Sequence, residues 1–326
     1  MSKTNSGAKI RAIGAGNSGG VKTYILNIAS TNPNIIMYRY GKFRVFWREL
    51  SKGDTIFLNV IKPSIPYLLM IYLRGRKHFR VVFCSHGLSY LVHTGVRRFI
   101  IKVLIRLVSS VSDGVVVLNQ CDLNLFKCWN DSSYCIPTVL QPLTERKPFC
   151  LDFDPKSGLK WVMVGHVEER KNPREFVNIA KSILAEFPSD RFIWIGQGPL
   201  FSEMKELIQG IEGIDFIGEL ENKEVREYLS LSDICLSPSF FEVLPITLLE
   251  AADSNMIIIL KKAHYSDDIA QRFKSCIVYQ NLQEVIAFRS NTHLLKQKKD
   301  AASKIYMEKN SNYDLYIQKM NKVLYG

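Results

Sequence analysis

The feature that most constrains the fold of this chain is a regular alternation of strand-like and helix-like segments. Short apolar runs rich in Val and Ile end in polar or glycine-containing turns, and longer amphipathic segments follow them. Strands that alternate with helices in this way pair into parallel sheets, because the crossover to the next strand is itself a helix. The predicted strands are residues 9–14, 55–60, 80–85, 114–118, 159–164, 191–195, 214–217 and 234–237.

The alternation falls into two halves. A segment with Pro, Asp, Lys and Ser at 148–158 separates them and is typical of a linker. At 326 residues, the chain has room for two domains of ordinary size. We therefore predict an α/β protein with two Rossmann-like, doubly wound domains, residues 1–150 and 151–309. They are expected to face each other across a cleft lined by the loops at the carboxyl ends of their strands.

The composition is typical of a globular protein, with 47% hydrophobic and 23% charged residues. The first residues are polar and lack the apolar stretch of a secretory signal, and no apolar run is long enough for a bilayer span. The seven cysteines form no Cys-x-x-Cys pair, so we expect reduced thiols and not a metal or disulfide framework. Together these features predict a cytoplasmic protein.

Charge is distributed unevenly between the halves. Residues 1–150 contain 21 Lys and Arg against 6 Asp and Glu, whereas 151–326 contain 22 against 25, so the formal surplus of +12 comes from the first half. Such asymmetry predicts an anionic partner for that half: nucleic acid, a membrane surface or a phosphorylated substrate. A basic cluster at 74–80 motivates the nucleic-acid alternative, although no recognised nucleic-acid-binding module surrounds it.

Two carboxylates stand in one of the more apolar stretches of the chain, FFEVLPITLLEA at 240–251. Pro245 suits the first turn of a helix, so Glu242 is predicted in the loop before that helix. Glu250 is predicted on the buried helix, about 7–8 Å past Pro245 along the helix axis. The helix N-terminus between them attracts phosphate. The structural alternative is a helix with one solvated Glu; the functional one is a clamp on a ligand with phosphate in its middle and hydroxyls at both ends, such as a nucleotide sugar.

Six motifs, read in order, resemble those of a known family. They are Ser18-Gly19-Gly20-Val21, Ser85-His86-Gly87, Val164-Gly165 with Lys171-Asn172-Pro173, Ile195-Gly196-Gln197-Gly198-Pro199, Phe216-Ile217-Gly218, and Glu242 with Glu250. In this order and spacing the chain resembles retaining glycosyltransferases of family 4, such as those that build bacterial surface polysaccharides. The resemblance spans nearly the whole chain and is strongest from 160 to 252. It implies the GT-B fold, with a last helix at 310–326 that crosses back to the first domain.

The resemblance implies roles for the residues at the matching positions. Glu250 is expected to hold the ribose hydroxyls, Glu242 to meet the transferred sugar, and Lys171 to neutralise the departing diphosphate. His86 resembles the histidine that hydrogen-bonds the donor sugar, so Glu242, Lys171 and His86 form the predicted catalytic set. The further donor-binding positions are Gly19, Gly20, His166, Arg170, Gly196, Leu244 and Thr247.

Departures from the family pattern leave alternatives open. His166 stands where the family usually carries a diphosphate-binding arginine, Val243 replaces a glycine, and residues 253–264 lack the expected glycines. A catalytically degenerate GT-B partner of an active transferase is therefore one alternative, and a nucleic-acid-binding protein is a weaker one. A metal-dependent GT-A enzyme would use Asp152 and Asp154, but no predicted strand precedes this pair.

One segment of the basic half has the pattern of a membrane-surface helix. Residues 96–108 read as a helix on which Arg98, Lys102 and Arg106 share one face, with bulky apolar residues around the remainder. The structural alternative is a core helix with a solvated basic face. The functional one is an interfacial anchor on an anionic leaflet.

The combined prediction is a retaining glycosyltransferase that uses neither a metal nor another cofactor, because cationic side chains and a helix N-terminus supply the positive charge. We expect a nucleotide-diphosphate sugar as donor, with a UDP-sugar favoured over a GDP-sugar. The expected acceptor is a glycan or a lipid-diphosphate-linked sugar in polysaccharide biosynthesis. We expect a peripheral protein on the inner face of an anionic membrane, with no nucleic-acid partner.

Overall fold

The structure is a computed structural model that describes residues 9–14, 20–30, 32–39, 41–59, 61–140, 153–307 and 310–326. The chain divides into two compact units. The first lies within Met1–Gln141 together with Asn310–Gly326, and the second lies within Pro142–Lys309.

Both units alternate strands and helices. The strands are β1 (Ile10–Gly14), β2 (Ile35–Arg39), β3 (Thr55–Leu58), β4 (Arg80–Ser85), β5 (Gly114–Val117), β6 (Ser133–Cys135), β7 (Lys160–Val164), β8 (Arg191–Ile195), β9 (Ile214–Gly218), β10 (Ile234–Ser237), β11 (Ile257–Lys261) and β12 (Cys276–Tyr279). The helices are α1 (Gly20–Ala29), α2 (Phe43–Glu49), α3 (Ile61–Leu73), α4 (Gly95–Ser110), α5 (Gln120–Lys127), α6 (Pro173–Glu186), α7 (Phe201–Leu207), α8 (Asn222–Ser230), α9 (Ile246–Asp253), α10 (Ser266–Arg272), α11 (Leu282–Ser290), α12 (Thr292–Met307) and α13 (Asn310–Tyr325).

The sheet of the first unit is parallel and has the strand order β2-β1-β3-β4-β5-β6. β3 and β5 carry the sequences TIFL and GVVV, and every residue in both strands is buried. Apolar runs without alternation are typical of parallel strands that helices cover on both faces. Helices α1, α3 and α13 pack against this sheet.

The last helix, α13, belongs to the first unit, where it packs against β3, β4 and β5. Arg80 donates to the carbonyl of Val323 at 3.1 and 3.0 Å, and the Thr55 hydroxyl donates to the carbonyl of Leu324 at 3.0 Å. A guanidinium at a helix C-terminus satisfies carbonyls that lack an intrahelical partner. The predicted return of the last helix to the first domain is therefore present.

The sheet of the second unit is also parallel, with the order β12-β11-β10-β7-β8-β9. The chain runs outward from β7 through β8 to β9 and then reverses to β10 on the other side of β7. In an open parallel sheet, ligands bind outside the carboxyl ends of the strands at this reversal. The switch point therefore lies between β7 and β10.

Aromatic side chains fill the core of the second unit. The rings of Trp161 and Phe192 stack with centroids 5.0 Å apart, and those of Trp194 and Phe216 stack at 5.6 Å. These large side chains contribute much of the apolar surface that the second unit buries. In the part of the chain that the structure describes, no helix is long and apolar enough to cross a bilayer.

Candidate active site

The second unit brings two loops together at its switch point. β7 ends at Val164 and leads through a short 3-10 turn, Glu169–Lys171, to α6. β10 ends at Ser237 and leads through a second loop to α9. The backbone N–H of Phe240 donates to the carbonyl of Arg170 at 3.0 Å. A main-chain hydrogen bond therefore joins the loops.

Lys171 and Glu242 form a buried ion pair between these loops. The Lys171 ammonium donates to the Glu242 carboxylate, and the two residues are 9% and 8% exposed. The exposed guanidinium of Arg170 lies 3.9 Å from the other oxygen of Glu242. It also donates to the carbonyl of Phe241 at 3.1 Å and to Glu168 at 2.8 Å. Two cations are thereby held side by side at the carboxyl edge of the sheet.

Helix α9 begins four residues after Glu242. Pro245 is its N-cap with φ −67° and ψ 136°, so the proline precedes the helix and does not lie in its first turn as predicted. The reason is its extended ψ, which carries the chain out of the loop before helical dihedrals begin at Ile246. No side chain caps the helix among the described residues. Its first N–H groups and the positive end of its dipole are suited to an anion.

Glu250 lies on α9, as predicted, and is half-buried. Only Leu248, Leu249, Ala251 and Ala252 of the helix are buried, which leaves Glu250 at the border of the core. Burial raises the pKa of its carboxyl group, while Arg226 opposes this shift and Asp253 adds to it. A carboxylate that is partly withdrawn from water gains from hydroxyl donors.

Several predicted donor-binding residues have internal contacts. A Cβ atom on Gly196, whose φ is 142°, would lie 2.2 Å from the Gly165 oxygen, so the close approach of two backbones explains this glycine. The Thr247 hydroxyl donates to the carbonyl of Val164 at 3.3 Å, which ties α9 to the end of β7. Leu244 is 9% exposed. Contact of these residues with a donor stays a prediction.

The two substituted positions differ in exposure. His166 is exposed on the loop after β7. Val243 is 9% exposed, so its side chain is withdrawn from solvent. Arg170 is an exposed cation on the same loop as His166.

The comparison with protein families bears on this unit. A family model described as "Glycosyl transferases group 1" matches residues 154–310. The chain carries a glycosyltransferase group 1 domain. The matched range, called the group 1 domain below, contains Lys171, Glu242 and Glu250.

Two curated relatives share part of their length with this chain. Alpha-galactosylglucosyldiacylglycerol synthase of Streptococcus pneumoniae is 28% identical over 166 residues, which are 48% of this chain and 43% of the relative. Alpha-monoglucosyldiacylglycerol synthase of Acholeplasma laidlawii is 25% identical over 128 residues, which are 38% of this chain and 32% of the relative. The matches thus span less than half the length of these relatives.

A solved structure from E. coli has the same fold. It is described as trehalose-6-phosphate bound with UDP-2-fluoro glucose, and it matches with a TM-score of 0.73 and 11% identity. The match covers 98% of this chain and 99% of that chain. With two parallel six-stranded sheets and covering helices, the chain has the GT-B fold, and the fold prediction is confirmed.

The first unit places His86 directly after β4, near Asn59, which follows β3. One ring nitrogen of His86 lies 3.4 Å from the Asn59 side-chain oxygen, and the ring meets that of Tyr24 edge-on at 4.9 Å. Burial lowers the pKa of His86 to about 4, so its imidazole is neutral near pH 7. Gly20 is the first residue of α1, and Gly19 lies outside the described residues.

Helix α4 presents the three predicted basic residues to solvent. Arg98, Lys102 and Arg106 are exposed, and the first two have their charged groups 6.0 and 5.8 Å from the ring centroid of Tyr90. The helix buries Ile101, Ile105, Val108 and Ser109. Its exposed apolar side chains are Val96 (75%), Phe99 (67%), Ile100 (49%), Val103 (38%) and Leu107 (54%).

The acidic pair of the metal-dependent alternative is only partly described. Asp154 is exposed in a turn, where it accepts from the backbone N–H of Lys156 at 3.0 Å, and Asp152 lies outside the described ranges. Within those ranges, no group of three or more His, Cys, Asp and Glu residues is placed to hold a metal ion. Metal independence stays a prediction.

Sequence reasoning missed a polar network next to Lys171 in the group 1 domain. Glu175, in the first turn of α6, accepts from Asn172 at 2.5 Å, from Lys261 at 2.6 Å and from Tyr279 at 3.2 Å. An acidic residue in a first helical turn predicts only a favourable dipole interaction. Two of its partners lie 86 and 104 residues away, and no local pattern indicates them.

Proposed function

We propose that the protein is a retaining, metal-independent glycosyltransferase that moves a sugar from a UDP-sugar to a glycan or lipid-linked acceptor at an anionic membrane surface. The observation that carries the proposal is the Lys171–Glu242 ion pair, with Arg170 beside it, at the switch point of a group 1 domain. Cations and the N-terminus of α9 suit a diphosphate, and Glu250 suits ribose hydroxyls.

The proposed chemistry follows from charge. As the bond between the anomeric carbon and the diphosphate oxygen breaks, the acceptor hydroxyl oxygen bonds to that carbon and its proton passes to the leaving phosphate. Negative charge grows on the leaving diphosphate during this step. Lys171 and Arg170, already oriented by carboxylates, stabilise that charge, and a metal is not needed for this step. When the Lys171 ammonium pairs with the diphosphate, the Glu242 carboxylate becomes free to accept a hydrogen bond from a hydroxyl of the transferred sugar. Retention of configuration is what the resemblance to family 4 implies.

The comparisons support the choice of substrates. Both curated relatives carry the names of diacylglycerol glycolipid synthases, which favours a lipid-linked acceptor. The E. coli structure of the same fold holds UDP-2-fluoro glucose, which favours a UDP-sugar as the donor. A catalytically degenerate partner subunit is the alternative that these likenesses leave open.

The surface of the first unit supports a membrane contact. Helices α3 and α4 pack against each other, and α3 carries a further set of exposed apolar side chains. Its members are Ile65 (37%), Leu69 (62%), Tyr72 (50%) and Leu73 (72%). Exposed apolar residues next to Arg98, Lys102 and Arg106 are typical of a surface that enters the headgroup region of a bilayer. Each cation contributes roughly 1 kcal/mol near an anionic leaflet.

Nucleotide binding is the first test. We expect UDP to raise the melting temperature more than GDP or ADP does, in EDTA, because a ligand that binds only the folded state stabilises it. At 100 times its Kd, the ligand adds about 2.7 kcal/mol. Lys171→Met is expected to reduce this shift. A chain that responds to none of the nucleotides would contradict the proposed donor and favour the degenerate partner.

Membrane binding is the second test. We expect the protein to co-sediment with liposomes that contain phosphatidylglycerol, and to be released by salt. Changing Arg98, Lys102 and Arg106 to Glu is expected to abolish binding. The matched control changes Lys9, Lys52 and Lys127, three exposed lysines of the first unit, to Glu. Equal loss in the control, or equal binding to neutral liposomes, would leave α4 without a special role.

A further inference from the structure

Asn172 has an unusual backbone conformation for a residue that carries a side chain. Its φ of 55° and ψ of 56° are left-handed, and it stands between Lys171 and the first residue of α6. This conformation is unfavourable for most residues, and Asn tolerates it because its short amide can hydrogen-bond locally. The Asn172 side chain does not cap α6. Its amide makes other contacts.

The amide of Asn172 bridges the two loops of the candidate site. Its nitrogen donates to Glu175 at 2.5 Å and to the carbonyl of Pro238 at 3.3 Å. Pro238 directly follows β10, on the loop that carries Glu242. The Asn172 side chain therefore links the end of the Lys171 loop to the beginning of the Glu242 loop. This link, with Glu175, is called the clasp.

Glu175 is in turn held by the ends of two strands. Lys261, the last residue of β11, donates to both carboxylate oxygens at 2.6 Å. Tyr279, the last residue of β12, donates to one of them at 3.2 Å and is 1% exposed. Burial and the nearby carboxylate raise the pKa of Tyr279, so its hydroxyl keeps its proton and acts as the donor. The carboxylate is thus immobilised from three sides.

We propose that Asn172 and Glu175 are positioning residues that set the placement of the Lys171 ammonium against Glu242, with Lys261 and Tyr279 as their anchor. The consequence for catalysis rests on the proposed function, because Lys171 is there assigned to the leaving diphosphate. The placement of the ammonium is measurable without any donor. In catalysis, a misplacement of about 1 Å costs up to 100-fold in rate.

Two substitutions separate the side chain of Asn172 from its backbone. Asn172→Gly keeps the left-handed conformation, which Gly adopts without steric cost, and removes only the amide. Glu175→Gln keeps the size of the side chain but turns one acceptor oxygen into an NH₂ group that faces donors. Both changes break the same chain of contacts, so their effects are expected to be non-additive.

The experiment measures how fast N-hydroxysuccinimidyl acetate acylates Lys171 in the full-length protein, by mass spectrometry. We expect Asn172→Gly and Glu175→Gln to raise this rate several-fold, because the released ammonium leaves Glu242 and becomes exposed. The melting temperature of Asn172→Gly is expected to stay that of the wild type. In the transferase assay, kcat is expected to fall about tenfold or more with little change in KM, as for a group that acts mainly in the transition state.

Arg174→Gln is the matched control on the same helix. Arg174 is exposed and pairs with Glu169 at 2.7 Å and with Glu203 at 2.9 Å, outside the clasp. An equal rise in Lys171 acylation in this variant would overturn the proposal in favour of a general loosening of α6. Wild-type acylation in Asn172→Gly would overturn it as well, and would leave Asn172 a backbone role. If the wild type transfers no sugar, the proposed function fails, and the acylation rates still decide the positioning.

Discussion

Replacing Lys171 by Met measures how much the Lys171–Glu242 ion pair contributes to stability. The variant leaves the Glu242 carboxylate, 8% exposed, without its ammonium partner. Removing one member of a buried ion pair costs about 3–5 kcal/mol. Arg170 lies 3.9 Å away but is 43% exposed, so it offsets only part of this loss. We therefore expect Lys171→Met to lower the free energy of unfolding by about 3 kcal/mol, the lower end of that range.

Differential scanning calorimetry measures this loss as a shift of the group 1 domain's transition. About 3 kcal/mol corresponds to a fall of roughly 6–12 °C for a domain of this size. The double variant Lys171→Met/Glu242→Gln removes both charges and is expected to recover most of the melting temperature. It is not expected to recover nucleotide binding. If Lys171→Met has the melting temperature of the wild type, the reasoning is refuted, because the pair would then carry no buried charge.

Three further predictions concern Glu250, His86 and the need for a metal ion. Burial raises the pKa of Glu250, so Glu250→Gln should stabilise the fold at pH 7, with a gain that disappears as the pH falls below the ordinary Glu pKa, while calorimetry shows weaker UDP binding. Unchanged UDP affinity would return Glu250 to a structural role. The pKa of His86 is lowered from 6.5 to about 4, so its contribution to stability is complete above pH 6.5 and is lost as the pH falls towards 4. His86→Gln should therefore make the melting temperature depend less on pH over that interval. NMR should show a neutral His86 ring at pH 6. EDTA should leave turnover unchanged, and a complete loss that Mn²⁺ restores would favour the Asp152 and Asp154 alternative.

The sequence predicted the central strands best. The bounds of β4, β8 and β10 agree with prediction at both ends, because each is a short apolar run between polar turns. The prediction omitted β2, β6, β11 and β12. Edge strand β2 has the apolar sequence IIMYR but is partly exposed, and edge strand β6 has only three residues. The run of β11 is apolar, but periodicity alone does not separate a buried strand from a helix.

The residues of the candidate site were easier to predict than their contacts. Lys171 and Glu242 were both placed in loops after strands. Their direct ion pair depends on β10 returning beside β7, and no local pattern gives the strand order. The clasp by Asn172 needs the same return of the chain, together with a left-handed backbone that the residue type permits but does not require.

The charge of the first half can now be divided by what its arginines contact. In the basic cluster at 74–80, Arg74, Arg76 and Arg80 donate to backbone carbonyls at 2.7, 2.8 and 3.1 Å. They hold elements of the first unit together, which weakens the motive for a nucleic-acid partner. The basic residues of α4 are exposed beside Phe99, which is 67% exposed. A nucleic-acid backbone would attract those cations but would leave the apolar stripe in water, whereas an anionic bilayer attracts the cations and buries the stripe. The combination therefore favours a lipid surface.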